Sequence, residues 1–239
     1  MRRHSFVLIA GAWHGAWCWS RVLPLLESQG HRVITPELPG TGTDRTDAAR
    51  VTLESWACFL ADVLTREPEP VTLIGHSRGG IVISRAAELV PERIRRLVYL
   101  SAYLLPSGRS LAEAARADVQ SLVPPNMVPA ESGHTCNLRP EVIREALFGH
   151  CTDADVDYAL AHLSPEPLKP LVTPLKVTPE RFGSVPRVYI ECLQDRTVTL
   201  AAQRRMQSEL PCDPVYALDS DHSPFLSHPQ DLALLLGGL

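Results

Sequence analysis

The chain has 239 residues, 45% of them hydrophobic, and a formal net charge of −4. That size and composition suit one soluble globular domain with a sizeable core and room for an insertion, and the mild acidity without a basic run argues against a nucleic-acid partner. The six cysteines are scattered with no Cys-x-x-Cys pair, which argues against a zinc site or dithiol redox motif and for reduced thiols in a cytoplasmic setting. The chain opens with Met1-Arg2-Arg3 and a short apolar run, Phe6 to Ala10. The run is too short for a secretory signal and leads into Trp13-His14-Gly15 without a cleavage-like site, so residues 5–11 are expected to form the first strand. No apolar run approaches the roughly 18 residues of a membrane span.

Strand-like and helix-like segments then alternate. Residues 17–28 read as a helix ending at Gly30, and residues 32–35 as a short strand closed by Pro36 and the turn Pro39-Gly40-Thr41-Gly42. Residues 53–66 have helical periodicity, with Leu53, Trp56, Leu60 and Leu64 on one face. Residues 71–74 read as a buried strand, followed by a tight turn and a helix to about Val90; residues 94–100 are the next strand. From about Tyr103 to Phe182 no clean strand is visible, prolines are frequent, and helical patches lie at 111–121, 140–148 and 153–163. The alternation resumes with a strand at 187–192, a helix at 200–209, a strand at 214–218 and a closing helix from about 229 to 236. The order predicts an α/β fold: a mainly parallel sheet of about six strands with helices on both faces. Residues 1–102 and 183–239 form the expected core, and residues 103–182 an inserted, mostly helical cap.

One motif carries the chemistry. Gly75-His76-Ser77-Arg78-Gly79 has the form Gly-x-Ser-x-Gly, between an apolar strand and an apolar helix. A serine on such a strand-to-helix turn is presented as a nucleophile. Its hydroxyl needs a base, usually a histidine oriented by a carboxylate, and in this setting the partners follow in the order Ser, Asp or Glu, His. Asp195 lies just past the 187–192 strand, and His222 lies in the loop after the last strand. Glu191 is within the strand, while Asp219 and Asp221 crowd the histidine, so Asp195 is the preferred acid. Among nine histidines, His76 is expected to pack, and His134, His150 and His162 to lie on the cap. The oxyanion formed by attack needs two backbone N–H donors, one after the nucleophile and one after the first strand: Arg78 and Ala12. The Arg78 side chain reads as a solvated cation at the helix start, with a substrate-carboxylate contact as the alternative. Trp17 and Trp19 are assigned to core packing. Trp13 and His14, beside the oxyanion turn, are candidate substrate-binding residues. No cofactor and no metal are expected.

These stretches, FVLIAGAWHGAWCW, PELPGTG, GHSRGG, YIECLQDRTVT and SDHSPFLSHP, resemble the α/β-hydrolase superfamily, and within it the branch of plant methylesterases and hydroxynitrile lyases with their bacterial esterase relatives. The match spans nearly the whole chain, and LSPEPLKPLVTPL is similar to the cap end of bacterial members. The resemblance implies a triad of Ser77, His222 and Asp195. Two positions depart from it. The family usually carries His-Gly at the start of the oxyanion turn, where this chain has Ala10-Gly11; the lyases carry a lysine after the histidine, where this chain has Ser223. Without that cation, departing cyanide has no counter-charge, and cyanohydrin cleavage is disfavoured. The expectation is a serine esterase acting on a small, largely apolar carboxylic ester, a methyl ester among the candidates, with no membrane partner. Carbon–carbon cleavage or cyclisation on the same triad is the alternative, and a ligand-binding receptor with residual hydrolase parts is a third reading.

Overall fold

The computed structural model describes residues 4–239; the Met1-Arg2-Arg3 segment lies outside the described residues. The first strand, β1 (Ser5–Ile9), is followed by a short 3-10 turn (Ala16–Trp19) and then by α1 (Val22–Ser28). The sequence predicts one helix over residues 17–28. A continuous helix would place Pro24 in its interior, with no N–H to give to the preceding turn; restarting at Val22 puts Pro24 in the first turn, where that N–H has no intrahelical partner. Strand β2 (Arg32–Ile34) leads to α2 (Leu53–Thr65), whose start is fixed by a reciprocal cap between Thr52 and Ser55. Strand β3 (Val71–His76), helix α3 (Gly79–Leu89) and strand β4 (Ile94–Leu100) follow.

Between β4 and the next core strand the chain leaves the sheet. It forms α4 (Leu111–Arg116), a pair of strands β5 (Met127–Pro129) and β6 (Thr135–Leu138), then α5 (Pro140–Leu147), α6 (Asp153–His162), β7 (Glu166–Pro167) and α7 (Leu168–Val172). Strands β5, β6 and β7 make a small antiparallel sheet. No sign of it is visible in the sequence. The strands are two to four residues long, and prolines end two of them, so no alternating period accumulates. The core then resumes with β8 (Arg187–Cys192), α8 (Leu200–Glu209), β9 (Val215–Leu218), the short α9 (Pro224–Ser227) and α10 (Pro229–Gly237).

The main sheet has six strands in the order β2-β1-β3-β4-β8-β9, and every neighbouring pair is parallel. All of β3 is buried, as its unbroken apolar character requires of a strand covered on both faces. One face packs on Trp56 and Leu60 of α2 and Ile81, Ile83 and Ala86 of α3. The other packs on Trp19, on Val22 and Leu26 of α1, and on Phe225, Leu232 and Leu236 near the C-terminus. In an open parallel sheet, ligand sites form beyond the carboxyl ends of the strands. Here the chain leaving β1, β3, β4, β8 and β9 converges at that edge. Among the described residues, no helix is long and apolar enough to cross a membrane.

Candidate active site

Ser77 sits where β3 becomes α3. Its φ is +52°, in the left-handed region that a side chain seldom adopts. The strain is held by the backbone on both sides: Ser77 N donates to the Leu100 carbonyl at 3.2 Å, and Tyr103 N donates to the Ser77 carbonyl at 3.0 Å. The flanking glycines are required by contact. A Cβ on Gly75 would lie 2.7 Å from the Gly79 backbone, and one on Gly79 would lie 2.9 Å from the Ile9 carbonyl oxygen. The sharp turn therefore exists because strand and helix approach closer than any side chain allows.

The loops after β8 and β9 meet beside this turn. His222 Nδ1 lies 2.6 Å from Asp195 Oδ2, and both side chains are buried. Nδ1 carries the proton in this pairing, which leaves Nε2 as the basic nitrogen. Asp195 is held by three further donors: the Ser101 hydroxyl on the same Oδ2, and the Thr197 and Val198 amides on Oδ1 at 2.6 and 2.9 Å. The competing carboxylates are engaged elsewhere. Glu191 pairs with Arg204 and Gln207, Asp219 accepts from Gln194, and Asp221 accepts from the His150 and Ser223 amides and the Ser227 hydroxyl. The sequence does not single out Ser101. Its φ of +39° at the end of β4 aims its hydroxyl at Asp195, and a lone serine in Leu100-Ser101-Ala102 gives no signal of that.

His76 packs, as expected of a residue inside the turn. Its ring lies 4.5 Å from the His222 ring, and its Nε2 donates to the His222 carbonyl at 2.8 Å. His14 is also fully buried, among Trp17, His76, Phe148 and Phe225, and its Nδ1 donates to the Ala12 carbonyl at 2.7 Å. Burial lowers the pKa of His14 to about 3, with smaller contributions from His222 and Arg78, and holds that of His76 well below the ordinary imidazole range. Both rings are therefore neutral, with the proton on the nitrogen that faces a carbonyl.

The two residues considered for substrate contact separate here. Trp13, with φ of +63°, borders a cavity of about 260 Å³ that Ser77 also lines; His14 lies behind the turn and does not line it. The cavity walls are Leu111 and Ala115 of α4, Val123, Met127, and Leu168 and Leu171 of α7, with no acidic side chain among its lining residues. The amides of Ala12 and Arg78 face no turn or cap hydrogen-bond partner among the described residues.

The Arg78 side chain is not the solvated cation suggested by sequence. It is 1% exposed, paired with Glu166 across 2.9 Å and stacked 4.5 Å over the Trp56 ring. A guanidinium is tolerated in such a place because a carboxylate, a carbonyl and an aromatic face replace water around it.

A model of the alpha/beta hydrolase family matches residues 6–233. The chain belongs to that family. It is 32% identical to the putative chloroplastic methylesterase 11 of Arabidopsis thaliana over 248 residues, 99% of this chain but 64% of that protein. It is also 32% identical to methylesterase 1 of the same plant, over 97% of this chain and 94% of the relative. Among solved structures it superposes on a pyrethroid hydrolase with a TM-score of 0.86 at 30% identity, covering 99% and 97% of the two chains. It superposes on a tomato methylketone synthase, solved with β-ketoheptanoate, with a TM-score of 0.87 at 26% identity and the same coverage. Family membership with esterases matching along almost the whole chain makes the protein a carboxylic ester hydrolase.

Proposed function

We propose that this esterase cleaves small, largely apolar carboxylic esters, methyl esters among them, through an acyl-enzyme formed on Ser77. The observation that carries the reading is the contact of His222 with Asp195 beside a strained Ser77 that opens into an apolar cavity free of acidic side chains. Ser77 Oγ attacks the ester carbonyl while His222 Nε2 takes its proton. Asp195 keeps the Nδ1 proton in place and stabilises the imidazolium. The oxyanion is met by the Ala12 and Arg78 amides. Collapse of the tetrahedral intermediate expels the alcohol, which receives the proton held by His222. Water then repeats the sequence on the acyl-enzyme and releases the acid. In this reading residues 103–182 form a cap: they supply most of the cavity wall and so select the acyl group, while Trp13 is the substrate contact from the core. Six free thiols support a reducing, cytoplasmic location.

An ester panel run with Ser77→Ala tests the reading. Wild-type protein is expected to release nitrophenol from short apolar nitrophenyl esters and to be labelled by a serine-directed phosphonate. Ser77→Ala should lose both; retained turnover in that variant sinks the proposal. The likeness to the methylketone synthase supports one other reading, carbon–carbon bond chemistry on the same residues. Inertness of the wild type toward every simple ester would favour it.

A further inference from the structure

The oxyanion turn of this chain starts with Ala10, whose methyl group has no polar atom to brace it. The bracing comes from elsewhere. Ala12 contributes to two peptide units, the first gripped by a side chain at its carbonyl end and the second at both ends. In the unit joining Gly11 to Ala12, the Gly11 carbonyl accepts from Arg78 Nη2 at 2.9 Å. In the unit joining Ala12 to Trp13, the Ala12 carbonyl accepts from His14 Nδ1 at 2.7 Å, and the Trp13 amide donates to Glu166 Oε2 at 3.1 Å. A trans peptide is planar, with C=O and N–H pointing in opposite directions. Fixing the Gly11 carbonyl therefore fixes where the Ala12 N–H points. Arg78 and Glu166 are each 1% exposed and 2.9 Å apart, so the guanidinium and the carboxylate that hold the two units also hold one another.

We propose that the Arg78 side chain and Glu166 are positioning residues for the oxyanion site, a buried clamp that aims the Ala12 N–H at the developing oxyanion. The inference rests on the esterase reading above. Arg78 then serves twice: its backbone N–H is one donor, and its side chain directs the other. Glu166 stands at the start of β7, so a residue of the 103–182 segment completes a site otherwise built by core loops. Neither side chain receives or gives a proton in the reaction. Burial raises the Glu166 pKa, and Arg78 and the Trp13 amide oppose the rise; stripping Arg78 alone would strand that carboxyl. The informative variant is for this reason the double one.

The double variant Arg78→Met/Glu166→Gln keeps both backbone donors, keeps an acceptor for the Trp13 amide, and removes the guanidinium from the Gly11 carbonyl without leaving a buried charge. Its kcat on a short apolar nitrophenyl ester is expected to fall about 10- to 100-fold with KM within about threefold, the scale of a displaced oxyanion donor. Its affinity for a trifluoromethyl ketone, which forms an anionic adduct with the serine, should fall by a similar factor. Affinity for the matching methyl ketone should not change. Glu166→Gln alone should lose about three- to tenfold in kcat and serves if the double variant does not fold. Arg32→Met, which breaks a partly exposed ion pair with Glu67 far from the site, is the control for merely losing a pair. A folded double variant with kcat within twofold of wild type overturns the clamp. So does one that loses affinity for both ketones equally, since that is general damage. If the wild type hydrolyses no ester and binds no trifluoromethyl ketone, the esterase reading falls and the clamp falls with it; if only the variants are indistinguishable from wild type, the clamp alone is wrong.

Discussion

The two halves of the proposed site are built differently. The base half, Asp195 and His222, is made by loops that leave β8 and β9, and its fastenings come from the ends of neighbouring core strands: Ser101 after β4, Thr197 and Val198 after β8. The oxyanion half, the turn from Gly11 to His14, is fastened by groups from distant parts of the chain. Arg78 reaches it from the serine turn, Glu166 from β7, and Ser164 N donates to the Trp13 carbonyl at 2.9 Å. One half is a product of sheet topology. The other depends on how the 103–182 segment sits on the core. The inserted segment also touches the base loops, through Leu122 and Ala146 on residues 196 and 197 and through His150 on Asp221, but none of these contacts falls on the Asp195 carboxylate.

The comparison is broken most severely at the base half. Asp195→Asn should leave the fold intact and lower kcat about 10⁴-fold, because an amide in place of the carboxylate no longer selects the His222 tautomer with Nε2 free; steady-state kinetics with a melting curve check it. At the oxyanion half, Gly11→Ala should cost about 100-fold in kcat. Its new Cβ would lie 2.6 Å from His76 Nδ1 and 2.9 Å from the Ser77 Cβ, so the turn and the serine must separate. It should also destabilise the protein by about 1–3 kcal/mol as an overpacked site. A variant with wild-type kcat would show that the two elements are free to slide. Ser101→Ala removes one of four donors to Asp195 and should reduce kcat about tenfold with KM unchanged.

The same contrast explains what could be read from sequence. The six core strands, the serine turn, and the loop positions of Asp195 and His222 are legible because they follow from local patterns in a fixed chain order: an apolar run, a glycine-flanked serine, an acid after one late strand and a histidine after the next. The fastenings are not. Nothing local in Arg78 distinguishes a solvated helix-start cation from a buried one; its burial depends on Glu166, Trp56 and the Gly11 carbonyl, none adjacent in sequence. Glu166 reads as one more charge in a proline-rich stretch, and β7, which carries it, is two residues long. Ser101 reads as the end of a strand. Long-range pairings among single residues leave no period and no motif, so the base half is visible in advance and the oxyanion half is not.

The smallest expected effect concerns the seam between the halves, where the His76 ring neighbours those of both His14 and His222, with ring centroids 6.0 and 4.5 Å apart. Burial lowers the pKa of His14 to about 3 in the folded protein, from 6.5 for an unperturbed imidazole, and shifts His76 in the same direction. Below the unfolded pKa, the unfolded chain binds protons that the folded chain refuses. Stability contributed by these two neutral rings is thus complete above about pH 6.5 and is lost as pH falls, by about one proton's worth of slope for His14 and in the same direction for His76. Urea melts at pH 7.5, 6.5, 5.5 and 5.0 should show this decline before most carboxylates titrate. His14→Gln retains a donor for the Ala12 carbonyl and removes one titrating ring. It should be less stable than wild type at pH 7.5 yet lose stability more slowly toward pH 5, by one proton's worth of slope. Parallel pH curves for the two proteins would mean that His14 already takes a proton in the fold. The Ala12 carbonyl would then face a charged ring, and the oxyanion half would carry a cation behind it as well as the clamp in front.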